Sequence, residues 1–263
     1  MMGFRIDCSS IYNSIRLLLF FTGIASISYQ QEVFTTFVFI GLAILLVINE
    51  EKRFITSLLL SFLIGFLIFM VSNHLIETTN ISKEIKIILN RLFLIFIILG
   101  LVINHRIFKK KVSWYNEKPD WNNPIVLPFH TVHMFWFWMI GIIVNGMVYL
   151  FIILRKDVGE IQSLLLFCLF FSLINAVVEE VIWRGIMLSA LKDFTSTRYA
   201  MIVTSVGFGL LHLAIGFSIS FSLLISIAGV IYAVLTLKTN SIYPSILFHL
   251  VINIGMVISG FIL

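Results

Sequence analysis

Long apolar runs separated by short polar stretches dominate this chain. About nine are readable, near residues 11–29, 33–49, 54–73, 85–104, 132–154, 161–191, 198–216, 221–237 and 242–262. Each is close to the roughly 20 residues that carry a helix across a bilayer. The runs are continuous rather than alternating, which predicts helices and not a membrane β-barrel. The sixth is longer than a bilayer needs, so it is expected to tilt or to extend beyond the membrane. The second and eighth are the least secure. The expected fold class is all-α: a polytopic integral membrane bundle of about eight or nine transmembrane helices.

Composition agrees with this reading. The chain is 60% hydrophobic and 12% charged, against about 25% charged residues in soluble proteins. Mean hydropathy is +1.06. The net charge of +5 is no nucleic-acid signal, because the basic residues sit in short connections, where they set topology. If every run crosses, Lys52, Arg53, Arg106, Lys109, Lys110, Lys111, Lys118, Lys192, Arg198 and Lys238 share one side with Arg5. Lys83, Lys86, Arg91, Arg155 and Lys156 fall on the other. The richer side is expected to be cytoplasmic, with the N-terminus inside and the C-terminus outside. Cys8 and Cys168 lie far apart and form no CxxC, so neither a disulfide framework nor a cysteine metal site is supported. Arg5 and Arg16 precede the apolar stretch Leu17 to Ile27, as in a signal peptide with a cleavage region near Ala25–Ser28. A retained first helix fits better, because further spans follow at once. Lipidation of Cys8 is a weaker reading.

The connection 106–130 is the main internal boundary. A basic cluster, Arg106 with Lys109, Lys110 and Lys111, is followed by Trp114, Pro119, Trp121, Pro124 and Pro128. It reads either as an interfacial segment on an anionic leaflet or as a plain topogenic loop.

Three polar clusters interrupt the runs after residue 160. They are Glu179-Glu180-Val181-Ile182-Trp183-Arg184, Phe208-Gly209-Leu210-Leu211-His212 and His249-Leu250-Val251-Ile252-Asn253. A charged group near a bilayer centre costs about 2.5–3.5 kcal/mol on insertion scales, so an intramembrane ionisable residue points to function. Glu180 and Arg184 are four apart and can pair on one helix face. Glu179 is rotated by about 100° from Glu180, and Trp183, four residues on, is placed to cover it. Apolar cover of that kind suits a general base. His249 and Asn253 are also four apart and project together, as an oxyanion site requires. Measured from Lys192, Arg198 and Ser241 at about 1.5 Å per residue, Glu179, His212 and Asn253 lie about 20, 21 and 18 Å deep, and His249 about 12 Å. Polar groups on three helices thus reach overlapping depths. His130, His133, His74 and His105 sit at interfaces or span ends and are assigned no role.

These clusters resemble the signatures of the CPBP family, the C-a-a-X proteases and bacteriocin-processing enzymes also called Abi proteins. That family is marked by E-E-x-x-x-R, F-x-x-x-H and H-x-x-x-N/D on successive membrane helices. Here they read Glu179-Glu180-x-x-x-Arg184, Phe208-x-x-x-His212 and His249-x-x-x-Asn253. Trp183-Arg184-Gly185 is similar to the family's aromatic-Arg-Gly run, with Trp where Phe is frequent. Asn240 to Ser245 is similar to the turn that opens its last motif helix. The resemblance covers about residues 160–263, and residues 126–263 are expected to form the catalytic membrane core. Residues 1–125 are then N-terminal helices with a cytoplasmic interfacial loop.

The resemblance implies a glutamate-dependent intramembrane endopeptidase acting on membrane-associated peptides or proteins. It implies that Glu179 and His212 activate a water, that His249 and Asn253 hold the oxyanion, and that Glu180 and Arg184 support them, with Trp183 and Phe208 beside them. Two Glu and two His could hold zinc. The chain lacks an H-E-x-x-H pair, so a metal-independent site is expected. A bacteriocin self-immunity or pheromone-processing protein of the same family is the nearest alternative. A non-enzymatic transporter or scaffold using these residues as a proton or ion path is the alternative from another class.

Overall fold

The computed structural model describes residues 8–126 and 130–262. Arg5, Pro128 and the side chain of Cys8, invoked above, lie outside the described residues.

The apolar runs are helices. They are α1 (Cys8–Ser28), α2 (Glu32–Ile48), α3 (Arg53–Glu77), α4 (Lys83–Phe93), α5 (Ile95–Ile107), α6 (Met134–Ile153), α7 (Val158–Glu180), α8 (Ser189–Phe194), α9 (Thr197–Leu211), α10 (Ile219–Thr239) and α11 (Tyr243–Ile258). The fourth run is one path broken at Leu94, whose N–H bonds back to the carbonyls of Arg91 and Leu92. The sixth continues from α7 through a π-helical segment, Val181–Leu188, into α8. Among the described residues, seven helical stretches are long and apolar enough to cross a membrane, while α2 and α11 are shorter. The eighth run is in fact a full 21-residue helix, started by Ser218, whose hydroxyl accepts from the Phe221 N–H.

The stretches alternate in direction, so their ends form two faces. On one face Lys52 Nζ, in the α2–α3 turn, donates to the Phe194 carbonyl at 2.5 Å. Tyr199 OH donates to the Asn13 carbonyl at 3.1 Å. The Phe54 ring packs on Phe108 and Phe194. The α3–α4, α6–α7 and α9–α10 turns and the C-terminal end of α11 share the other face. Most α6 side chains point outward, and of its residues Met134 alone is buried. Such a helix would be costly in water at about 25 cal/mol per Å² of apolar surface and suits lipid.

The described part of the 106–130 connection is tied down around residues 115–120. The Ile242 N–H donates to the Tyr115 carbonyl at 2.7 Å, and the Asp120 N–H to the Thr239 carbonyl at 2.8 Å. Ser241 Oγ donates to the Glu117 carbonyl at 2.7 Å. These bonds strap the connection across the α10–α11 turn, where Asn240 takes a left-handed conformation at φ 51. A short antiparallel ladder, β1 (Ile125–Val126) with β2 (Thr131–Val132), leads into α6. One apolar cluster joins Phe20, Phe62, Ile97, Trp183 and Leu235, drawn from helices on both sides of this connection.

Close approach of α9 and α10 sets the position of the second motif. A Cβ at Gly209 would collide with Ser226 Oγ and the Ser222 carbonyl. Small residues of this kind let membrane helices meet backbone to backbone. The contact fixes the end of α9, and His212 follows it directly.

Candidate active site

The last turn of α7 and the π-helical segment bring both glutamates and Arg184 to full burial. Arg184 Nη1 donates to Glu180 Oε1 at 2.9 Å, and its Nη2 donates to the Gly229 carbonyl of α10 at 2.8 Å. Its guanidinium also lies 4.7 Å from the Phe208 ring centroid and 5.0 Å from that of Tyr232. The spacing argument for a Glu180–Arg184 pair therefore describes the structure. Phe208 is the wall that packs Arg184, His212 and His249 together.

Trp183 does not cover Glu179. Its ring packs on Phe62, 4.9 Å between centroids, and fills a notch at Gly207, where a Cβ would lie 2.7 Å from the indole. The reason lies in the wider turn of the π-helix. The wider turn shifts Trp183 off the stripe of Glu179, whereas the long side chain of Arg184 still reaches back to Glu180.

Glu179 is instead held by a residue that spacing did not single out. Arg91 of α4, 8% exposed, donates from Nη1 to Glu179 Oε1 at 3.3 Å and to Asn175 Oδ1 at 3.4 Å. Each glutamate thus has its own guanidinium. Arg91 had been grouped with the loop charges that set topology, although it lies inside the fourth apolar run. The signal that could have found it is the one that exposed Glu179 and Glu180: an ionisable group flanked by apolar residues.

His249 of α11 bridges the two carboxylates. Its Nδ1 lies 3.1 Å from Glu180 Oε1, and its Nε2 lies 3.8 Å from Glu179 Oε2. The ring stacks on Tyr232, 5.0 Å between centroids. A carboxylate accepts, so Nδ1 carries the proton. His212 is oriented in the same way: its Nδ1 faces the Phe208 carbonyl at 3.0 Å, which leaves Nε2 as an acceptor. Asn253 Nδ2 donates to the Ser172 carbonyl at 3.5 Å. Glu179 Oε2 and Glu180 Oε2 are buried without a hydrogen-bond partner.

A cavity of about 400 Å³ reaches this cluster. Arg91, Asn175, His212 and Asn253 line it, with Phe171 and Met256 among its apolar walls. Glu179 and His249 are not among the lining residues. Glu179 lies directly behind Arg91 and Asn175, so the cavity meets the carboxylate through their polar groups. The structure brings all three predicted motifs into one cluster, but Glu179 and His212 share no direct hydrogen bond.

Residues 161–255 match the family described as Rce1-like, Type II CAAX prenyl endopeptidase Rce1-like. This C-terminal segment is thus similar to the CAAX-protease (CPBP) family. Over 98 residues the chain is 32% identical to YdiL of Bacillus subtilis (strain 168), which bears the provisional name of a membrane peptidase. The aligned part is 37% of this chain and 38% of that relative, so the match spans well under half of either protein. No solved structure matches. The matched segment contains all three motifs, whereas Arg91, which touches Glu179, lies outside it.

Among the described residues, no group of three or more His, Cys, Asp or Glu side chains is spaced to hold a metal ion. One oxygen of each carboxylate is engaged, Glu179 Oε1 by Arg91 and Glu180 Oε1 by Arg184 and His249.

Proposed function

We propose that this protein is a membrane endopeptidase in which Glu179 activates water against a peptide bond of a membrane-associated peptide or protein. The observation that carries the reading is the buried Oε2 of Glu179, which has no hydrogen-bond partner while Oε1 is held by Arg91. Arg91 holds Oε1, and the free oxygen is the one able to accept a proton. Glu179 takes a proton from water, and the resulting hydroxide attacks the peptide carbonyl. Glu179 then passes that proton to the leaving amine as the C–N bond breaks. His212 Nε2, left as an acceptor by the Phe208 carbonyl, takes the remaining hydroxyl proton as the new carboxylate forms.

Oxyanion stabilisation falls to Asn253 Nδ2 and His249. Because Nδ1–H of His249 is committed to Glu180, its Nε2 can donate only from the imidazolium. Glu180 is therefore more than the partner of Arg184: it also fixes the His249 ring through Nδ1. Glu180 then serves the chemistry through His249, as Arg91 serves it through Glu179.

Arg91 is a positioning residue in this scheme. Arg91→Ala is expected to lower kcat more than it changes KM. Added guanidinium ion should restore part of the rate, whereas urea, of the same shape but uncharged, should not. Equal recovery with both compounds would show that Arg91 merely fills space.

The reading is metal-independent. Purified protein is expected to keep its hydrolytic rate after exhaustive chelation, with elemental analysis showing no stoichiometric metal. Loss of activity that only zinc restores would overturn it. The transporter reading is less well supported, because the polar cluster ends in an apolar wall formed by Trp183, Phe62 and Phe20, not in a polar path to the other face.

A further inference from the structure

The two faces of the bundle differ in charge, and the cavity opens on only one. Every described connection on the face with the 106–130 strap has Lys or Arg in it or within three residues of its ends: Lys52 and Arg53, the basic cluster after α5, Lys192 with Arg198, and Lys238. On the opposite face the connections 29–31, 216–218 and 259–262 have none within the same distance. Lys83, Lys86, Arg155 and Lys156 are the basic residues of its remaining turns. An asymmetry of this kind in short loops puts the basic face in the cytoplasm.

The cavity mouth lies at the other face. It is bordered by Glu77 and Lys83 of the α3–α4 turn, Phe217 of the α9–α10 turn, and Phe261 beyond α11. Depth agrees. His212 stands about 22 Å along α9 from Thr197, but only about 8 Å of 3-10 helix separates it from Gly216 in the turn beyond. Asn253 is about 15 Å from the start of α11 and about 8 Å from its end. The great depth of the motifs below the basic loops is thus shallow depth below the opposite surface. Between the cluster and the basic face stands the buried wall of Trp183, Ile186 and Leu191.

We infer that the catalytic cavity opens on the non-cytoplasmic face of the membrane, and that its substrates are apolar peptide segments presented at that leaflet. The cavity suits such a chain: Phe171, Phe217 and Met256 offer apolar walls, and Arg91, Asn175 and Asn253 offer polar contacts for a backbone. A peptide confined to the cytoplasmic surface would meet the strapped 106–130 connection instead. The identity of the occupant as a substrate rests on the proteolytic reading. The orientation does not.

Thiol accessibility tests the orientation without requiring turnover. In a Cys8→Ser, Cys168→Ser background, single cysteines are placed at Thr79 in the α3–α4 turn, Asn73 in the cavity wall and Ser113 in the strap. A membrane-impermeant maleimide added to intact cells is expected to label Thr79→Cys and Asn73→Cys. Ser113→Cys should react only after permeabilisation. The reverse pattern would overturn the orientation. Labelling at Thr79→Cys with Asn73→Cys protected before and after permeabilisation would overturn the open cavity. If the labelling holds and cleavage of membrane peptides does not depend on Glu179, the proteolytic reading fails and the topology stands.

Discussion

Glu179→Gln is expected to reduce peptide hydrolysis by about 10²–10⁴-fold, the range by which a positioned general base contributes, while the protein still inserts and folds. Glutamine keeps the side-chain length and an amide oxygen that can accept from Arg91 Nη1, now 3.3 Å from Glu179 Oε1. It cannot take a proton from water. The fold should tolerate the loss of charge because Arg91 borders the cavity, where water can solvate a guanidinium left without its carboxylate. kcat is therefore expected to fall, while the thermal transition in detergent moves only slightly. A variant that lost activity only in step with loss of folded protein would show Glu179 to be structural. Comparison of the two curves separates these cases.

Arg184→Met is expected to do the opposite. Arg184 and Glu180 are both fully buried, and the guanidinium also holds the Gly229 carbonyl and packs between Phe208 and Tyr232. Removing one member of a buried ion pair leaves an uncompensated charge and costs about 3–5 kcal/mol. A large part of a typical stability margin of about 5–15 kcal/mol is then at risk. Loss of monodisperse protein and a sharply lower unfolding temperature should follow. The double variant Glu180→Gln, Arg184→Met should recover part of this loss, because replacing both partners removes the stranded charge. A double variant less stable than Arg184→Met would refute the pair as the reason for that loss. The double variant should stay inactive, since His249 loses the carboxylate at its Nδ1.

Much of the fold could be read from the chain, because a bilayer demands long apolar helices and little else satisfies the backbone there. Each run became a helical stretch, with ends within a few residues. The break at Leu94 and the π-helical turn were not readable, since hydropathy is blind to the hydrogen-bond register within a helix. The π-helix then undid one inference: the 179–183 step assumed α-helical spacing, and Trp183 turned away towards Phe62. The 180–184 step survived because Arg184 is long enough to reach back.

The grouping of the three motifs was legible from depth, but depth does not say which face a cavity opens on. Arg91 was the main omission. The local pattern of α4, Lys83 through Phe93, looks like the charged margin of a span. Only the packing of α4 against α7 turns it into the partner of Glu179. Because Arg91 comes from α4, the N-terminal helices are part of the site's construction and not only a membrane anchor beside it. His249 shows the same limit: spacing placed it beside Asn253, but tertiary contact gave its Nδ1 to Glu180.

The central claim is that Glu179 drives hydrolysis of membrane peptides by water. Cells producing the wild type or Glu179→Gln at equal levels, grown in water enriched in oxygen-18 and analysed for their membrane peptides by mass spectrometry, test it most directly. The account predicts new C-termini bearing the heavy isotope in wild-type membranes and their absence from the Glu179→Gln membranes. The same labelled C-termini at equal abundance in both would contradict it.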